Sequence, residues 1–91
     1  MAMIAVWLKV EQERIVHDVE KAAEQLDGVD GEIALDFSSV QQINPSALAA
    51  ISEFADVADD RGVKVVLRGV NVEIYKVLEL VKLASRFSFV T

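Results

Sequence analysis

The segment that decides the fold is residues 32–51, "EIALDFSSVQQINPSALAAI". "EIALDF" is a short apolar run of strand length, and "SSVQQIN" is a polar connection that leads into a helix. Asn44 is the predicted N-cap and Pro45 the first helical residue, where a missing N–H costs nothing because no intrahelical acceptor awaits it. The helix is predicted from Pro45 to Asp60, with Leu48, Ile51, Phe54 and Ala55 as its buried stripe and Arg61-Gly62 as its stop.

The same alternation continues on both sides. Upstream, "MIAVWLKV" (3–10) is rich in β-branched and aromatic residues, carries apolar side chains on both parities, and predicts a first strand buried on both faces with Trp7 in the core. "ERIVHDVEKAAEQLDG" then places Ile15, Val19, Ala22, Ala23 and Leu26 at the spacing of an amphipathic helix, with Gly28 just past its end. Downstream, "VKVVLRGV" predicts a strand closed by Gly69. "NVEIYKVLELVKL" predicts a helix capped by Asn71, with Glu73 in its first turn and an apolar repeat of Ile74, Val77, Leu78 and Val81. "RFSFV" is a candidate for a last short strand. Strands alternating with helices imply β-α-β units, a largely parallel sheet and right-handed crossovers. The loops at the carboxyl ends of the strands then gather on one rim, and "SSVQQINPS" lies there.

Composition bounds the function classes. The chain has 91 residues, 53% of them apolar, enough for one small domain with one core, so residues 1–91 are read as a single unit. No apolar run reaches the roughly 18 to 20 residues of a membrane span, and "MAMIAVWLKV" lacks both the basic start and the cleavage site of a secretory signal, so a cytoplasmic protein is expected, with no membrane insertion. There is no cysteine, which excludes disulfides and thiolate metal sites within this chain. A formal charge of −6 with scattered Lys and Arg argues against nucleic acid and for a protein partner.

Among residues that could carry chemistry, Ser46 stands out. At the second helical position backbone N–H groups are unpaired and the macrodipole is positive, so a phosphate there, adding roughly −1.5 to −2 charges, is electrostatically welcome. Ser is also common at helix starts for capping alone, so position leaves both roles open. His17 has no second His or Cys and no Ser or Asp constellation around it, and is read as a solvated or partly buried side chain rather than a catalyst. Asp56, Asp59 and Asp60 lack the ligand loop of a calcium site and are read as a solvated face. "RGVN" has no following Gly-Lys and is not a phosphate-cradling loop. No cofactor and no metal are implied, and no cluster of titratable groups predicts an enzyme.

The run from Ala34 to Leu83 resembles a STAS domain, the family shared by anti-sigma-factor antagonists and the cytoplasmic tails of sulfate transporters. The resemblance rests on "LDFS", "NPSAL", "VVLRGV" and "VEIYKVLELVKL" in that order, and covers roughly residues 32 to 84. It implies a single α/β domain with a mostly parallel or mixed sheet of about four strands, and a non-enzymatic interaction module. It also implies that Ser46 is the serine phosphorylated in antagonist members by an anti-sigma factor that is itself a serine kinase. The departures are Asn44 for Asp, Pro45 for Ser or Thr, Ala47 for Gly, and one strand followed by "LKVEQE" where members open with a hairpin. Ala47 is expected to add a methyl beside the acceptor. The partner-binding residues implied are Ser38, Ser39, Gln41, Gln42, Asn44, Pro45 and Ser46.

A second similarity points to another partner. Gly69, Val70, Asn71, Ile74 and Tyr75 match a pattern in the small STAS subunit that binds the ATPase of a phospholipid-trafficking ABC transporter. A capped helix after a strand and turn explains Gly69 and Asn71 without any partner. The oligomeric state is left open by the sequence.

Overall fold

In a computed structural model that describes residues 4–90, four strands alternate with three helices. Strand β1 is Ile4–Lys9, α1 Ile15–Glu24, β2 Glu32–Asp36, α2 Pro45–Arg61, β3 Lys64–Arg68, α3 Val72–Leu80 and β4 Ser88–Val90. Short 3-10 turns at Gln12–Arg14 and Ala84–Arg86 lead into α1 and β4. Of the predicted first strand, Met3 lies outside the described residues.

All strand pairs are parallel and the sheet order is β1-β2-β3-β4. Each crossover therefore steps one strand in the same direction. Right-handed crossovers of that kind lay all three helices on one face of the sheet. The core shows it. Ile33, Leu35, Val65 and Leu67, which share one face by register, are buried in one cluster with Ile15, Val19 and Leu26, with Ile51 and Phe54 of α2, and with Ile74 and Leu78 of α3.

The other face corrects the expectation for β1. Trp7 is 51% exposed, not in the core. It lies in one row with Ala34, Val66 and Ser88, and the next row towards the rim is Lys9, Asp36, Arg68 and Val90. The Arg68 guanidinium stacks over the Trp7 ring, 5.6 Å from its centroid. Sequence hydropathy cannot tell a strand covered twice from an edge strand covered once, because the sense of the crossovers decides which it is.

Helix ends follow their local chemistry. The side chain of Asn44 accepts from the Ala47 N–H at 2.8 Å and that of Asn71 from the Ile74 N–H at 2.8 Å, so both predicted N-caps are in place. In α2 the Gly62 N–H bonds the Asp59 carbonyl and the Val63 N–H bonds the Ala58 carbonyl. That pattern puts Gly62, at φ 69°, in the left-handed position of a Schellman stop. Helix α3 ends in the same pattern, Lys82 to Glu79 and Leu83 to Leu78, with Lys82 at φ 62°. The buried stripe of α2 is Ala47, Ala50, Ile51, Phe54, Ala55 and Ala58, while Leu48 is half-buried at its margin. Val81, expected in the stripe of α3, is 47% exposed because the helix ends at Leu80.

Candidate functional site

The rim is built by extending the parallel ladder beyond the strands. The Val10 N–H donates to the Asp36 carbonyl at 2.9 Å, Phe37 to Arg68 at 2.7 Å and Gly69 to Val90 at 3.1 Å. These bonds bring all four strand ends together, so that the connections after β1, β2 and β3 lie side by side.

The connection after β2 carries the predicted site, and its apolar residues anchor it. Phe37 and Val40 are buried, and the Val40 N–H closes a turn onto the Phe37 carbonyl at 2.9 Å. Ser38 is exposed and Ser39 half-buried. The Asp36 carboxylate accepts from the Ser38 N–H at 2.9 Å. Hydrogen bonding from the Ser38 side chain first, then from its backbone, holds the Asp36 carboxyl below its usual value, and the nearby Arg68 and Lys9 add to the effect.

Gln41 and Gln42 are exposed but not loose. The Gln12 Oε1 accepts from the N–H of Gln41 at 2.6 Å and of Gln42 at 3.0 Å, and its Nε2 donates to the Gln42 carbonyl at 2.8 Å. The Asn71 Nδ2 donates to the Gln41 carbonyl at 3.1 Å. Helix α2 then begins with Asn44, Pro45 and Ser46, all exposed. Ser46 stands at the second helical position, and the first turn of α2 contains no acidic residue, so the positive end of the helix is uncompensated there. Ala47, by contrast, is only 1% exposed. Its methyl points into the core and adds nothing to the surface beside Ser46, contrary to the expectation from the family's glycine.

All seven predicted residues thus lie on one continuous stretch of the rim. Sequence reasoning missed Gln12 as their support: a glutamine in "LKVEQE" carries no signal until the fold sets it beside residues thirty positions on. Elsewhere, His17 is exposed on α1 and shares an open cleft with Gln12, Arg14, Gln42, Asn44 and Ala47. Asp56 and Asp59 pair with Arg86, which ties the turn before β4 to α2 and raises the Arg86 pKa. Asp56, Asp59 and Asp60 are all exposed, as expected of a solvated face, and the first two also pair with Arg86 across the fold.

A four-stranded parallel sheet with three helices laid across one face and a capped helix start on its rim is a small α/β fold. The chain belongs to the STAS domain family, whose model matches residues 6–91. Among solved structures it is similar to a sulfate transporter family protein from Wolinella succinogenes, with 16% identity over 98% of this chain and 80% of that one at a TM-score of 0.77. It is also similar to a Thermotoga maritima protein proposed to be an anti-sigma factor antagonist, with 21% identity over 96% of this chain and 74% of that one at a TM-score of 0.70. At these identities the likeness is one of fold. No curated protein is detectably similar in sequence. Among the described residues no helix is long and apolar enough to cross a membrane.

Proposed function

We propose that the chain acts as one domain, a non-enzymatic, antagonist-like interaction module of the cytoplasm. It docks through Ser38, Ser39, Gln41, Gln42, Asn44, Pro45 and Ser46 and is switched by phosphorylation of Ser46. The observation that carries this reading is the placement of Ser46: exposed, at the second position of a helix whose first turn holds no acid. A phosphate there gains from the positive end of the helix dipole while presenting the partner with new charge and bulk. The fold then need not change for the surface to change. The partner on this reading is an anti-sigma factor of the serine-kinase type, and no cofactor takes part.

The reading as an ABC transporter subunit rests on Gly69, Val70, Asn71, Ile74 and Tyr75. Four of these have local employment: Gly69 packs against Ser38, Asn71 caps α3, Ile74 is buried and Tyr75 meets Phe89 edge-on with ring centroids 5.0 Å apart. The test is capture of partners by the wild type and by Ser46→Asp. A serine-kinase-type anti-sigma factor held by the wild type and released by Ser46→Asp is the expected result. An ABC ATPase held equally by both overturns it.

A further inference from the structure

Gln41 and Gln42 are held in an unusual way. All four backbone polar groups of this dipeptide are met by side chains from other parts of the chain: three by Gln12 and one by Asn71. Among the described residues neither makes a backbone–backbone bond. A two-residue stretch that lacks ladder or helix bonds ordinarily samples many conformations, and ordering its backbone costs about 1–2 kcal/mol per residue. Here two side chains, reaching in from the turn after β1 and from the start of α3, do that ordering immediately upstream of Asn44, Pro45 and Ser46.

We infer that Gln12 and Asn71 are positioning residues of the docking rim: together they set the backbone path that presents the start of α2 to a partner. The inference rests on the reading of this rim as the docking surface. A preformed loop binds without the ordering cost that a mobile one must meet at the moment of contact. Asn71 also caps α3, so its removal would mix two effects. Gln12 is the cleaner probe. It is half-buried, and its side-chain bonds all go to Gln41 and Gln42.

Two variants separate the role from mere stability. Gln12→Ala removes all three bonds, whereas Gln12→Glu keeps a charged acceptor for both N–H groups and replaces the donor to the Gln42 carbonyl by a second acceptor oxygen. Amide exchange by NMR is expected to quicken at least about tenfold at Gln41 and Gln42 in Gln12→Ala, with Leu35 and Leu67 unchanged, and to stay slow at both positions in Gln12→Glu. Affinity for a purified serine-kinase-type anti-sigma factor should fall roughly tenfold in Gln12→Ala and recover in Gln12→Glu. Unchanged exchange at Gln41 and Gln42 would overturn the inference, as would faster exchange with unaltered affinity. Failure of the wild type itself to bind would instead overturn the functional reading, and this role with it.

Discussion

Gly69 lies so close to Ser38 that a Cβ on it would stand 2.8 Å from the Ser38 Cβ and 3.0 Å from the Ser38 Cα. The contact joins the end of β3 to the first exposed residue of the rim. Gly69 also sits at φ 73°, where a side chain is strained in its own right. Gly69→Ala meets both penalties, and the atoms it strikes are backbone and Cβ, which cannot swing aside. The variant is expected to lose about 2–4 kcal/mol in urea unfolding, from overpacking and left-handed strain together. A loss under about 1 kcal/mol would mean that the rim yields easily.

The two Schellman stops make opposite predictions. Gly62 fills the left-handed position after α2, and Lys82 fills the same position after α3 at a conformational cost. Lys82→Gly should therefore stabilise the protein by about 0.5–1 kcal/mol, the relief of strain outweighing the added freedom of the unfolded chain. Gly62→Ala should destabilise it by about 1 kcal/mol, although space beside Gly62 is open. Thermal unfolding of the two variants side by side gives both signs in one experiment.

Asp36 gives the rim a dependence on acid. Its carboxyl is held below the ordinary value, chiefly by Ser38, so the folded state binds this proton less readily than the unfolded chain does. The resulting stability is fully present above the unfolded value of about 4 and is lost as pH falls through the lower folded value. Asp36→Asn should flatten the acid limb of a stability-versus-pH curve below about pH 4. Ser38→Ala should flatten it in part, since the backbone N–H of residue 38 remains.

Trp7, the protein's one tryptophan, reports on the open sheet face. Its exposure predicts red-shifted emission and ready quenching by acrylamide in the folded state. Trp7→Ala should cost only about 1–2 kcal/mol, the loss of partial burial and of the Arg68 stacking, against the roughly 3–5 kcal/mol of a fully buried aromatic. Blue-shifted, quencher-resistant emission would show this face covered in solution.

Much of the fold is legible in short-range pattern. The Asn-Pro-Ser start of α2, the Asn71 cap and the Gly62 stop act within a few residues of themselves, so their physics is written in neighbouring positions. The same locality places Ser46 on the second helical residue. Burial is less legible. Leu48 and Ala50 differ in hydropathy in the wrong direction for their places, because a helix against a one-sided layer buries small residues where it comes closest and leaves larger ones at the margin.

By itself, then, the sequence determined the order of elements, both asparagine caps, the parallel character of the sheet and the place of Ser46 at the second helical position. All of these follow from backbone preferences and periodicity, which act over one or two turns. Only the tertiary structure decided that Trp7 faces out, that Ala47 turns its methyl inward, and that Asp56 and Asp59 meet Arg86. It alone set Gln12 and Asn71 against Gln41 and Gln42. Each of these is a meeting of residues distant in the chain or a choice between two faces, and both are set by the hand of the crossovers and by how closely the strand ends approach.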